Sequence, residues 1–321
     1  MPVRRTILAL TAAAVLGSGA APVALACAFH GYTPDPTLVD VLLATEEVVI
    51  ARVEQGGRAF APAETLAGPQ VTQIDLRPSA QTRIAAQRNA DLLVLLARDG
   101  SYGPWQEVTP LEGAMGGVMR AVLSQHAAWQ SGDLRPRVAF FARHLNASDP
   151  ALRRLALREM DRADYATLRK SSLPRAAGLR QDLRQDDDAL RPIRILLAGL
   201  SGDRSFVPLL SDALAKGVST DKPYLGAYAT ALIELDGVGG VEHIVARYLS
   251  DPDLAFDQRE KLVQALALQY RVAPAGVRRS IARDVARLSR QDAGFAQSAT
   301  RQFGSANRFN PSPAVGGATD R

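Results

Sequence analysis

The apolar residues of this 321-residue chain change their spacing near Pro110, and that change limits the fold more than any single motif does. Before it, β-branched and aliphatic residues form short runs closed by glycine or proline. Residues 48–53 stop at Gly56-Gly57, residues 71–76 stop before Pro78, and residues 92–96 stop at Asp99-Gly100. Runs of this length and punctuation predict strands. Residues 38–44 and 81–88 read as two short helices among them. After Pro110 the apolar period becomes about 3.6 residues and stays so to about residue 303, which predicts one helix after another.

Turn chemistry supports the same reading. Ser148-Asp149-Pro150 is a helix cap followed by proline, while 201–203, 236–240 and 250–252 are short turn clusters. Helices joined by such short breaks pack as antiparallel neighbours. Residues 151–162 place Leu152, Leu155, Ala156 and Met160 on one side and Arg154, Arg158 and Arg162 on another. Residues 276–290 repeat the arrangement with Val277, Ile281, Val285 and Leu288 against Arg279, Arg283 and Arg287. The expected fold class is therefore α+β, mainly α. It has a small β-rich unit over 27–110, an α-helical solenoid or bundle over 111–303, and a disordered Pro, Gly, Ser and Asn tail over 304–321.

The first 26 residues read as a secretory signal peptide. Arg4 and Arg5 precede a short apolar run, and Ala24-Leu25-Ala26 provides small residues at a cleavage site. The run is about ten residues long, against the roughly 20 that span a bilayer. Cleavage after Ala26 makes Cys27, the chain's one cysteine, the mature amino terminus. Export then comes without an internal disulfide. Cys27 can be a free thiol, the acylated residue of a bacterial lipoprotein, or internal to a different cut. Periplasmic, secreted and lipid-anchored locations all stay open, with the anchor as the expected route to a membrane.

Removing Arg4 and Arg5 lowers the formal charge from +5 to +3, too weak a balance to call for nucleic acid. Four of the 38 basic residues are lysines (Lys170, Lys216, Lys222, Lys261), which leaves 34 arginines and reads first as codon bias. The two arginine rows are the largest surface feature the sequence offers. They are either a solvated face or a contact for anionic lipid or an acidic protein.

Four helical pairs, spaced roughly 35 to 50 residues apart, have the length of solenoid units. The stretch Asp149-Pro150-Ala151-Leu152-Arg153-Arg154-Leu155-Ala156-Leu157-Arg158-Glu159-Met160 resembles the second helix of HEAT repeats. That resemblance implies a HEAT-like array over about 114–303, and a non-repetitive bundle is the alternative. The amino-terminal region, with Cys27, Tyr32-Thr33-Pro34-Asp35-Pro36, the apolar run 48–53 and Glu64-Thr65-Leu66-Ala67-Gly68, resembles netrin-type domains, the OB-like barrels of tissue inhibitors of metalloproteinases. That family's Cys-x-Cys pair is missing, since Ala28 follows Cys27, so its inhibitory role does not carry over.

Catalytic signatures are scarce. His30, His126, His144 and His243 have no metal-binding spacing between them, and no serine sits in a Gly-x-Ser-x-Gly elbow. Asp186-Asp187-Asp188 reads as a helix cap and the Asp236–Gly240 stretch as a turn between helices. Cys27 with His30 could offer thiolate, amine and imidazole to copper or zinc. No other cofactor is implied. The sequence thus predicts an exported, non-enzymatic interaction or scaffold protein whose partner is an unidentified envelope protein. Two alternatives stand: a copper- or zinc-handling protein using Cys27 and His30, and an enzyme with a site between the two units. Trp105 and Trp129 are expected to pack where the units meet, whereas exposure of either in a broad groove would favour partner binding.

Overall fold

The computed structural model describes residues 35–100, 103–129, 132–175, 178–184, 189–220 and 224–304. The signal segment, Cys27, His30, Asp186-Asp187-Asp188 and the tail from 305 onward lie outside the described residues. The fold is α+β and mainly helical.

Helix α1 (Leu38–Ala44) starts where the Thr37 hydroxyl accepts from the Asp40 amide (3.2 Å) and the Asp40 carboxylate accepts from the Thr37 amide (2.7 Å). This reciprocal cap satisfies two amides that the first turn leaves without partners. The sheet consists of β1 (Glu47–Val53), β2 (Phe60–Ala67), β3 (Leu93–Arg98) and β4 (Gln106–Pro110), with α2 (Ala80–Arg88) between β2 and β3. Its order is β2-β1-β3-β4, antiparallel throughout.

Gly56 and Gly57 turn β1 into β2 at φ values of +96° and +69°, a region that side chains with a Cβ disfavour. Residues 48–51 of β1 read as unbroken apolar sequence because both faces of the strand are covered there. Val48 and Ile50, with Leu95 and Ala97, join the main core, while Val49 and Ala51, with Val94 and Leu96, pack with Phe60, Val71, Ile74 and Trp105 on the other side.

Two expectations for this region change. Residues 71–76 form no strand; one bridge pairs Ile74 with Phe60, and Val71 and Ile74 are buried with Leu76 partly buried against the same cluster. β2, which carries Pro62, is a strand the apolar pattern does not signal. It tolerates the proline because it lies at the sheet's edge, where an amide can face away from the ladder.

The helical part runs α3 (Met115–Ser124), α4 (His126–Trp129), α5 (Leu134–Ala142), α6 (Pro150–Asp161), α7 (Tyr165–Lys170), α8 (Leu179–Asp182), α9 (Arg191–Leu200), α10 (Val207–Ser219), α11 (Leu225–Asp236), α12 (Val238–Ile244), α13 (Phe256–Val272), α14 (Ala275–Gln291) and α15 (Ala293–Phe303). A π-helical turn, Val245–Leu249, extends α12. The α6 start is as the sequence predicts: Asp149 accepts from the amides of Ala151 (2.8 Å) and Leu152 (3.3 Å), with Pro150 in the first turn.

The 236–240 stretch differs from expectation. Only Gly237 breaks the chain, at φ +60°, and α12 already begins at Val238. The small residues after the break allow close packing, and an added Cβ on Gly240 would lie 2.8 Å from the Leu232 carbonyl oxygen.

α9, α11, α13 and α15 pack in succession; α10 lies on α11, α12 on α14, and α14 on α13 and α15. α11 is the centre of this arrangement and is buried at every position from Leu225 to Ile233. One apolar cluster runs from Val39 and Leu42 of α1 through Met119 of α3 and Phe141 of α5 to Phe295 of α15. The change of secondary structure at residue 110 therefore does not interrupt the core.

Candidate functional site

The arginine rows are divided by their partners. Arg154 and Arg158 are exposed on α6. Arg162, one turn further, bends inward and lies 3.1 Å from the Asp40 carboxylate of α1. On α14, Arg279 and Arg283 are exposed and Arg287 is half-buried. Arg283 pairs with Asp284 at 2.9 Å and reaches Glu242 at 3.9 Å, while Arg287 stands 3.7 Å from Asp284. Cys27 and His30 lie outside the described residues, among which no group of three or more metal-ligating side chains converges.

Neither tryptophan is exposed. Trp129 packs edge-on to Phe140 (5.4 Å) within the main core, and Trp105 belongs to the opposite face of the sheet beneath the Arg98 guanidinium (4.6 Å). Neither tryptophan therefore lies in an exposed groove.

Two buried polar clusters emerge that sequence patterning does not reveal. The first ties α1 to α5 and α6. Arg137 donates to Glu159 (2.5 Å) and to the Thr37 hydroxyl (3.0 Å) and pairs with Asp40 (2.9 Å). Burial pushes the Asp40 carboxyl up, but the Thr37 amide and the guanidinium groups of Arg137 and Arg162 outweigh it and hold the group below its usual range.

The second cluster lies where α7, α11 and α13 meet. The Tyr165 hydroxyl donates to Glu234 (2.8 Å), Arg169 donates to the same carboxylate (3.0 Å), and Gln269 donates to the Tyr165 oxygen (3.1 Å) and the Thr230 carbonyl (3.0 Å). Burial, then the Glu234 charge, raises the Tyr165 phenol well above its ordinary value. Tyr165 therefore stays protonated and works as a hydrogen-bond donor, not as a base. Both clusters tie helices together, although Glu159 Oε1 in the first and Gln269 Oε1 in the second are buried without a hydrogen-bond partner.

Ser211 Oγ and His243 Nε2 lie 3.1 Å apart, a contact of nucleophile-and-base type. Ser211 lies inside α10, so the neighbouring amides are engaged in the helix and none is left to hold an oxyanion. The pair joins α10 to α12. His243 is held below its ordinary pKa by burial and then by Arg247, and His144 by burial and then by Arg143. His144 also packs edge-on to Phe140 at 5.4 Å.

These histidines give the fold a pH dependence of definite sign. Each folded-state pKa lies below the unfolded value of about 6.5, so the unfolded chain binds more protons in that range. Their contribution is complete above about pH 6.5 and is lost as pH falls through that value toward the lower folded one. The thermal midpoint is expected to drop between neutral and mildly acidic pH, with a shallower drop in a His144→Gln/His243→Asn double variant. Identical slopes for the two proteins would disprove the assignment.

No protein-family model, curated protein or solved structure matches the chain. No described helix is long and apolar enough to cross a membrane.

Proposed function

We propose that this is an exported, non-enzymatic interaction or scaffold protein of the bacterial cell envelope. In this reading a HEAT-like stack of helices carries the binding surface and an OB-like amino-terminal unit is docked against it. The observation that carries the proposal is the succession α9, α11, α13, α15, each packed on the next, with α10, α12 and α14 alongside. An array whose elements mainly contact their neighbours exposes a broad surface and binds through many modest contacts instead of one reactive cleft. The use of buried polar groups as ties between helices agrees with such a role.

Site-specific photocrosslinking tests it. With the crosslinker at Arg154 or Arg158 on α6, one discrete envelope protein is expected to be captured, and with it at Arg88 on α2, none. Capture only from α2, or capture of no protein from any helical position tried across α6, α10 and α14, would refute the proposal.

A further inference from the structure

We infer that the outward side of α14 is an electrostatic docking face for an anionic lipid bilayer. Val277, Ser280, Ile281, Asp284, Val285 and Leu288 turn inward and are buried. Arg278, Arg279, Arg283 and Arg290 are exposed and Arg287 is half-exposed, and the residues among them are small: Ala282, Ala286 and Ser289. Arg279, Arg283, Arg287 and Arg290 recur at intervals of four, four and three, which places them along one side of the helix over about 16 Å. The single carboxylate of the helix is the buried Asp284, and the nearby acidic group on α12 is Glu242, 3.9 Å from Arg283. Arg283 and Arg287 are held by Asp284, and the exposed Arg278, Arg279 and Arg290 extend the positive charge along the outward side.

A bilayer is the occupant this face suits best. The residues between the arginines are the small Ala282, Ala286 and Ser289, so the face offers an extended peptide no large apolar side chain to pack against. A plane of phosphodiesters can engage the exposed guanidinium groups together, each of them able to make paired hydrogen bonds to phosphate oxygens. The apolar stripe of α14 is already used in the core, so the helix docks without inserting. Binding that rests on charge alone is screened by salt, unlike binding by a buried apolar face. This inference does not depend on the existence of a protein partner.

The test is co-sedimentation of the purified protein with mixed phosphatidylglycerol–phosphatidylcholine vesicles and with pure phosphatidylcholine vesicles, at low and high salt. Binding is expected only to the anionic vesicles and only at low salt. An Arg278→Gln/Arg279→Gln/Arg290→Gln variant should bind roughly a hundredfold more weakly, at about fivefold per arginine removed. These three side chains are exposed, so the variant should retain the parent's thermal midpoint. An Arg154→Gln/Arg158→Gln variant, with two charges removed from α6 instead, should keep most of the affinity. Absence of low-salt binding, an unchanged α14 variant, or an equal per-charge loss in the α6 variant would overturn the inference. So would an α14 variant that keeps lipid binding but loses a crosslinked acidic protein.

Discussion

Arg137→Met is expected to lower the unfolding free energy by about 3–5 kcal/mol, the range seen when one partner of a buried ion pair is removed. The size follows from what stays behind. Glu159, 3% exposed, loses the guanidinium 2.5 Å from its carboxylate, and the Thr37 hydroxyl loses a donor at 3.0 Å. Asp40 suffers less, because Arg162 still stands 3.1 Å from it. An Arg137→Met/Glu159→Met double variant should recover much of the loss, since it leaves no orphaned charge at that position and fills similar volume. Denaturant unfolding of the two single variants and the double one gives the coupling directly. If Arg137→Met alone costs under about 1 kcal/mol, the network is not the tie between α1 and the helices described above.

The same residues show which parts of the structure could be read from sequence. Asp149 and Pro150 announce a helix start through local chemistry, and 48–53 announces a strand; the structure places elements at those positions. β2 escapes notice because Pro62 and the polar Glu64 and Thr65 break the apolar run, and its place at the sheet edge is set by pairing with β1, not by its own composition.

The candidate sites were less legible for a physical reason. Tyr165, Glu234 and Gln269 meet across separations of 69 and 104 residues, and each alone resembles an ordinary surface residue of an amphipathic helix. Arg162 continues the spacing of Arg154 and Arg158 yet points to Asp40, because helical periodicity fixes the side of departure but not the partner a long side chain reaches. Arg137 carried one weak signal: it stands beside Val138 and one turn before Phe140 and Phe141, all buried.

Glycine gives the second large effect, because two helical glycines of equal intrinsic propensity should respond in opposite directions. Gly199, in α9, faces α11 so closely that an added Cβ would lie 2.7 Å from the Ala231 Cα and 2.9 Å from its Cβ. Those contacts are backbone and a rigid methyl, so α9 and α11 must separate to admit even one methyl group. Gly199→Ala is therefore expected to cost about 3 kcal/mol, the upper end of the usual range for overpacking. Gly117, in α3, is exposed and an added Cβ there meets nothing within 4 Å. Gly117→Ala should instead stabilise by about 0.5–1 kcal/mol, through the smaller entropy its unfolded chain loses on forming helix. Thermal and denaturant unfolding of both variants separates helix propensity from helix packing. A Gly199→Ala protein as stable as its parent would mean that α9 does not approach α11 at this distance, and the stack on which the proposed function rests would lose one of its close contacts.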